Sequence, residues 1–185
     1  MKKRILSIFL LLALVLSLVA CGEKAAAAPE TGAANAPVSA ENETPEAAGP
    51  TCTLEIRCDT LLPNLDQLTE GKAALVPADG ILYPKTELSF QEGESVFDVF
   101  RRTMKAEKIH FEYTDASMYN SVYIEGIGNL YEFDCGPQSG WMYSVNGVYP
   151  GLGCSDYKLA EGDAIVFSFT CNMGEDLGAE RYDEK

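Results

Sequence analysis

The segment from residue 140 to residue 154 (GWMYSVNGVYPGLGC) constrains the fold more than any other stretch of the chain. Asn146 and Gly147 stand between two β-rich runs, and both residue types tolerate positive φ, so they predict a type I′ turn and a tight hairpin. The only tryptophan, Trp141, lies on the first strand, and a cysteine stands on either side of the hairpin. A rigid aromatic hairpin between two cysteines is typical of a contact surface rather than a catalytic centre.

Hydrophobic patterns on both sides of this hairpin predict one α+β domain over residues 51–173. Apolar residues alternate with polar ones over residues 52–58, and the apolar residues of a last strand at 164–171 share one face. Between them Ser95 is a good N-cap for a helix, with Asp98 at the N3 position. Strands around one amphipathic helix in this order match a β-grasp-like mixed sheet with one packed helix, whose first and last strands are parallel neighbours.

The N-terminus has the layout of an export signal. Three cations precede an apolar run that ends at residue 20, which predicts a signal peptide over residues 1–20. The exit Leu-Val-Ala-Cys, ending at Cys21, resembles the bacterial lipobox. The resemblance implies cleavage before Cys21 and a diacylglycerol on its thiol, with palmitate completing the lipid anchor. We therefore expect a lipoprotein held on the extracellular face of a bacterial cell membrane.

Two further segments lack the apolar residues of a folded core. Residues 21–50 are mainly Ala, Pro, Glu, Asn, Thr and Gly, and cannot bury enough apolar area to offset chain entropy. They predict a disordered, lipidated linker that holds the domain away from the membrane. Residues 174–185 predict an acidic tail.

The charge of the chain excludes two classes of partner. The formal charge is −14, and removal of the three N-terminal cations leaves 11 basic against 28 acidic residues, a net of −17. Nucleic acids require a basic face, so no nucleic acid is expected as a partner. Adhesion to anionic headgroups by charge is disfavoured for the same reason. The acidity is that of an exposed protein kept soluble by its charge.

Five cysteines remain once one is lipidated. An export signal implies a location where disulfides form. Since first and last strands of a β-grasp are neighbours, we predict a Cys58–Cys171 bridge, and a Cys135–Cys154 bridge at the base of the hairpin. Cys52 is then left over: it is buried and inert, pairs with another molecule, or exchanges with Cys58.

Sequence motifs for catalysis or metal binding are lacking, and we predict that the protein is not an enzyme. There is no Gly-x-Ser-x-Gly, His-Glu-x-x-His or phosphate loop, and no Asp-x-Asp-x-Asp-Gly calcium loop. The sole histidine, His110, has no Cys-x-x-Cys to complete a zinc site, so we expect it on a strand surface or in the core. No cofactor is expected.

Three stretches carry a family resemblance: residues 131–147 (YEFDCGPQSGWMYSVNG), 153–159 (GCSDYKL) and 162–163 (GD). From about residue 52 to residue 173 the chain resembles the bacterial domain called DUF4430. That domain is similar to the C-terminal β domain of the cobalamin carriers transcobalamin, intrinsic factor and haptocorrin. The resemblance implies that Trp141, Met142 and Tyr143 are ligand contacts and that cobalamin is a candidate ligand. We expect no helical domain in this chain, so a site of this kind would be one-sided.

Two functions therefore compete. In the first, a small flat ligand binds Trp141, Met142, Tyr143 and Tyr149, because aromatic side chains offer rigid contact area. In the second, the domain is a structural or adhesive module that holds another envelope protein by its edge strand or hairpin. Trp141 has two open interpretations, a contact surface or core packing over the helix, and Met142 points the other way.

Overall fold

The computed structural model describes residues 49–116 and 121–179. They form two sheets and one α-helix around a common core. The elements are β1 (Thr51–Arg57), β2 (Ile81–Ser89), α1 (Val96–Glu107), β3 (Phe111–Ala116), β4 (Ser121–Ile127), β5 (Leu130–Tyr131), β6 (Gly140–Val145) and β7 (Ala164–Thr170), with short 3-10 helices at Asp59–Asn64, Ala73–Leu75 and Glu175–Leu177. The predicted signal peptide, Cys21 and nearly all of the predicted linker lie outside the described residues.

The larger sheet has the strand order β2–β1–β7–β6. Its central strands β1 and β7 are parallel, with Ile56 opposite Phe167, whereas β2 and β6 pair antiparallel with them at the edges. The first and last strands are thus parallel neighbours, and the predicted α+β class with a mixed sheet and one main helix is confirmed. The alternating pattern of β1 explains its orientation, because Cys52, Leu54 and Ile56 are almost fully buried while the intervening side chains are half-exposed.

Helix α1 begins and ends as its sequence predicts. The Ser95 side chain accepts a hydrogen bond from the Asp98 amide, and Asp98 bonds back to the Ser95 amide, which completes a capping box. Lys108 closes the helix in the left-handed conformation, at φ 57°. On the buried side, Phe100 packs on Phe167 of β7 with ring centroids 4.5 Å apart. Within the described residues no helix is long and apolar enough to cross a membrane.

The smaller sheet, with the order β3–β4–β5, shares this core. Ile124, Ile127 and Leu130 are buried, and Phe111 of β3 meets Phe100 of α1 edge to face at 5.4 Å. The two sheets are also joined near β6, where the Trp141 indole N–H donates to the Leu130 carbonyl. The smaller sheet therefore supplies one wall of the region around the tryptophan.

The predicted hairpin at residues 140–154 is only half right. Asn146 and Gly147 do form a tight turn, with φ of 54° and 78°, and the amides and carbonyls of Val145 and Val148 exchange hydrogen bonds across it. The returning chain does not continue as a strand, and β6 pairs instead with β7. Pro150 lies two residues past the turn and has no N–H to donate to a ladder, which is a physical reason for this early end.

Candidate functional site

Trp141 is a core residue. It is only 7% exposed, its indole N–H donates to the Leu130 carbonyl at 2.8 Å, and its ring meets Phe169 edge to face at 5.2 Å. A buried indole normally has a partner for its N–H, and here that partner is backbone. Of the two interpretations of Trp141, the structure therefore favours core packing, against β7 and the smaller sheet.

Tyr143 and Tyr149 have structural partners. The Tyr143 ring stacks on Phe167 at 5.8 Å and its hydroxyl donates to the Leu152 carbonyl at 2.6 Å. Tyr149 is half-buried beside Ser168, and burial, followed by the charge of Asp176, raises the pKa of Tyr149. Neither tyrosine lines the groove beside the start of β6 to which Met142 belongs.

An open groove of about 330 Å³ lies along the start of β6. Its lining is mostly apolar and comes from β4, β6, the turn before β6 and the segment after β7. The residues that define it are Tyr123, Phe133, Gln138, Gly140, Met142 and Met173. Trp141 contributes the small part of its side chain that is exposed. Two of the four predicted ligand contacts, Trp141 and Met142, thus lie at this groove.

The rim of the groove carries two large exposed side chains. Phe133 is 60% exposed and Met173 is 63% exposed. Both residues have positive φ, 68° and 47°. Residues other than glycine adopt this backbone conformation rarely and at a cost of about 1 kcal/mol or more. Backbone hydrogen bonds hold them there, from the Phe133 amide to the Ser139 carbonyl at 3.0 Å and from the Met173 amide to the Gln138 carbonyl at 2.9 Å.

Met142 forms part of the groove through a close fit to the chain after β7. A Cβ built on Gly174, whose φ is 88°, would lie 2.8 Å from the Met142 sulfur. The segment predicted as an acidic tail begins here, and the structure packs its first residues on the sheet: Asp176 accepts a hydrogen bond from the Cys171 amide at 2.7 Å. Met142 is half-buried as a result and retains one face toward the groove.

One polar pair stands at the groove wall. The Tyr123 hydroxyl donates to a Glu132 carboxylate oxygen at 2.6 Å. Burial, followed by this hydrogen bond and the charge of Glu132, raises the pKa of Tyr123 well above its ordinary value. The phenol is therefore neutral at any physiological pH, and the wall offers a hydroxyl and a carboxylate beside an apolar surface.

The sole histidine lies on the surface. His110 Nε2 is 3.1 Å from a Glu112 carboxylate oxygen and 2.9 Å from the Tyr131 hydroxyl. Lys72 lies over the Tyr131 ring, with its Nζ 4.7 Å from the centroid. Within residues 49–116 and 121–179, no group of three or more His, Cys, Asp or Glu residues could hold a metal ion.

The predicted Cys58–Cys171 bridge does not fit the structure. All five cysteines in the described part of the chain are free thiols. Residues of β1 lie opposite residues 111 places later in β7, so Cys171 comes beside Thr60, and its sulfur lies 3.7 Å from the Thr60 carbonyl. Cys58 lies two residues before the position opposite Cys171, which is about 7 Å along the strand. Together with the spacing between strands of about 5 Å, this puts the two Cα atoms farther apart than a disulfide allows.

The predicted Cys135–Cys154 bridge does not fit either. The Cys154 carbonyl accepts from the Phe97 amide at the start of α1, and its sulfur lies 3.8 Å from the Val122 carbonyl. The thiol that Cys135 contacts is that of Cys171. This bridge fails because the hairpin that would have placed Cys135 opposite Cys154 does not extend beyond its turn.

Residues 93–171 match the family model "Domain of unknown function (DUF4430)". This confirms the resemblance inferred from the sequence over α1 to Cys171, while β1 and β2 lie before the match. The DUF4430 match includes the turn before β6, β6 itself and β7, and so contains most of the groove.

The solved structures similar to this chain include two of low sequence identity. Haptocorrin in complex with Cbi matches at 13% identity and a TM-score of 0.47 over 66% of this chain, which spans 25% of that structure's length. A protein from Ruminococcus gnavus ATCC 29149, provisionally described as metal binding, matches at 12% identity and a TM-score of 0.38 over 65% of this chain and 96% of its own. Comparison with curated proteins gave no match.

Proposed function

We propose that this protein is a lipid-anchored, extracytoplasmic binding module that takes a small, flat, largely apolar ligand in the groove beside β6. The observation that supports this most is the pair of exposed side chains, Phe133 and Met173, that rim an apolar groove. Isolated exposed apolar residues are common, but two that converge on one concavity are typical of a binding site. The groove volume, about 330 Å³, falls at the low end of the range for ligand sites.

The chemistry of the lining indicates the kind of ligand. Phe133 offers a flat ring, and the two methionines offer flexible, polarisable thioethers that adapt to the edge of a ring system. The Tyr123–Glu132 pair adds one acceptor-rich polar point at the wall. A planar ligand with an apolar face and a hydrogen-bond donor at its edge suits this arrangement. We propose binding rather than catalysis, because the lining is mostly apolar.

Cobalamin is the first ligand to test, because of the sequence resemblance described above. A corrinoid is far larger than the groove, so this domain would contact only one part of it. We therefore expect weak binding by the isolated protein, or tight binding only with a second surface supplied by a partner.

Equilibrium dialysis of the full-length protein against cyanocobalamin, read by the vitamin's visible absorbance, tests this proposal. Phe133→Ala and Met173→Ala should each weaken binding roughly tenfold. Each removes a large apolar side chain whose partial burial by the ligand contributes about 1.4 kcal/mol. Val148→Ala and Leu152→Ala are matched controls, since both side chains are more than half exposed and lie outside the groove. Equal losses in all four variants would contradict a site at the groove.

If cyanocobalamin does not bind at millimolar concentration, corrinoids are excluded as ligands of this protein alone. A ligand-observed NMR screen of flat heteroaromatic compounds then tests the groove itself. Compounds that bind the wild type but not the Phe133→Ala, Met173→Ala double variant support the proposal. The absence of any such compound would overturn it.

The proposed location rests on the predicted signal peptide and lipobox. Mass spectrometry of the protein from membranes should find an N-terminal Cys21 that carries diacylglycerol. An unmodified Cys21 would contradict the anchor while leaving the groove proposal intact.

A structural or adhesive envelope module is the second candidate function. The observation that favours it is the exposed apolar pair Val148 and Leu152, 66% and 56% accessible, on the chain beyond the Asn146–Gly147 turn. Pull-down from a solubilised cell envelope with wild type and with a Val148→Ser, Leu152→Ser variant tests this. A stoichiometric protein partner lost in the variant favours the second candidate.

A further inference from the structure

The C-terminal end of β7 brings one thiol to the first 3-10 helix. Cys171 directly follows β7, and its sulfur lies 3.7 Å from both the Thr60 carbonyl and the Asn64 side-chain nitrogen. Its amide is held by Asp176 at 2.7 Å. Both the position and the direction of Cys171 are therefore set by ordered neighbours.

The turn before β6 brings a second thiol to the same place. Gly140 pairs with Thr170, so the chain preceding β6 must run past the end of β7. The turn is closed by a hydrogen bond of 3.0 Å from the Cys135 amide to the Ser139 side chain. A bond of 2.8 Å from the Thr69 amide to the Asp134 carbonyl ties it to the chain that follows the first 3-10 helix.

The two thiols meet as a result. Cys135 is buried and Cys171 is half-buried, and after burial the neighbouring Cys135 thiol is the group that most raises the pKa of Cys171. We infer that Cys135 and Cys171 form a disulfide bond that joins the turn before β6 to the chain after β7. This inference does not rest on the proposed function, because sulfur connectivity can be measured without any ligand.

The reaction needs a disulfide oxidant, either a low-molecular-weight disulfide or an exposed disulfide of an envelope oxidoreductase. The Cys171 thiolate, which is the more accessible, attacks one oxidant sulfur, and the other leaves as a thiol after taking a proton. The Cys135 sulfur then attacks Cys171 in the mixed disulfide and releases the second oxidant thiol. Two protein thiols lose two protons and two electrons, and one oxidant disulfide becomes two thiols.

The other three cysteines have different surroundings. Burial raises the pKa of Cys52 to about 11 and those of Cys58 and Cys154 to about 12, and no cysteine is among the groups that act on them. Burial also raises the pKa of Cys171, to about 12, so the difference lies in the neighbour: Cys171 has the Cys135 thiol beside it, whereas the other three have no second sulfur with which to form a bond. We therefore expect these three to remain thiols, with Cys52 buried and inert.

The bond would brace the groove. Residues 137–139 form part of one side, directly after Cys135, and Thr170 and Met173 flank Cys171 on the other. The Met173 amide already bonds to the Gln138 carbonyl across this gap at 2.9 Å. A covalent link two or three residues away would hold both sides at a fixed separation.

Peptide mapping of the full-length protein, as isolated from membranes and after exposure to glutathione disulfide, tests the inference. Free thiols are blocked with N-ethylmaleimide in denaturant before digestion. Trypsin leaves Cys135 and Cys154 together on residues 109–158, so chymotrypsin is needed to cut between them at Trp141 or Tyr143. The expected product after glutathione disulfide is a Cys135–Cys171 linked peptide, with the other three cysteines carrying maleimide.

A Cys58–Cys171 or Cys135–Cys154 link would overturn the inference, and so would five free thiols after the oxidant. Cys154→Ser is the matched control and should retain the link, whereas Cys135→Ser should lose it and leave Cys171 open to maleimide. The wild-type map decides the question even where a variant folds poorly. A link found in a protein that binds nothing would leave this inference intact and refute only the proposed function.

Discussion

The hydrogen bonds made by Trp141 and Tyr143 distinguish the roles of these two aromatic residues on β6. Trp141 donates to a backbone carbonyl inside the core, whereas the Tyr143 hydroxyl bonds to the Leu152 carbonyl at an exposed site. Water can replace the second bond but not the first. The same tryptophan that the sequence singles out for contact with a ligand therefore serves mainly to join two sheets.

Replacement of Trp141 by Phe should measure this difference. The variant leaves the Leu130 carbonyl without its partner and a small space beside Phe169, so the free energy of unfolding should fall by about 2–3 kcal/mol. Tyr143→Phe, the matched control, should lose about 0.5 kcal/mol. Urea unfolding followed by circular dichroism gives both values, and equal losses would place Trp141 outside the core.

At the scale of the element, α1 and the central strands were predictable because their signals are local. The Ser95–Asp98 capping box and the alternation of β1 each lie within a few residues. The partner of β6 was not predictable in the same way, because a turn at Asn146–Gly147 sets the direction of the chain but not the strand that follows. That choice depends on Pro150 and on a pairing with residues 164–170.

Removal of the cap should weaken α1 in a way that depends on pH. The hydrogen bond from the Ser95 side chain, then that from its amide, lowers the pKa of Asp98 below its ordinary value. This stabilisation is present above about pH 4 and is lost as pH falls through the folded-state pKa. Ser95→Ala should cost about 1 kcal/mol at pH 7, and the gap from wild type should narrow in acid. Glu107→Ala, exposed at the other end, should show neither effect in urea titrations.

Alanine substitution at two glycines with similar φ should distinguish the cost of backbone strain from the cost of a steric clash. Gly80 and Gly147 have φ of 70° and 78°, but a Cβ on Gly80 would lie 2.5 Å from the Asp59 Cα, whereas one on Gly147 would meet nothing within 4 Å. Gly147→Ala should cost about 1 kcal/mol of unfolding free energy. Gly80→Ala should cost about 3 kcal/mol, because the new Cβ would clash with the backbone of Asp59 at the start of the first 3-10 helix. Thermal melts that rank the two alike would contradict this packing.

At the scale of the whole molecule, the groove could be predicted only in part. Trp141 and Met142 belong to a segment that is conspicuous in the sequence, but Phe133 and Met173 are 40 residues apart and meet through the β6–β7 pairing. Their positive φ values have no signal in the residue type. The cysteine pairs failed for a related reason, since a register offset of two residues decides which thiols meet.

The inferred disulfide should contribute to global stability. It would close a loop of about 36 residues, which in the chain-entropy model raises the free energy of unfolding by about 4 kcal/mol. Urea midpoints with and without dithiothreitol should differ for the oxidised wild type and coincide for Cys135→Ser. Identical midpoints for oxidised and reduced wild type would show that the link carries no stability.

The parallel pairing of β1 with β7 also decides when the domain can fold. The central pair unites segments about 110 residues apart, as in the bond from the Thr51 amide to Glu161, and both edge strands are attached to it. A chain that emerges from its N-terminus presents β1 long before β7. The sheet cannot assemble until β7 is available, so in the export that we propose the domain would cross the membrane unfolded and fold late and slowly.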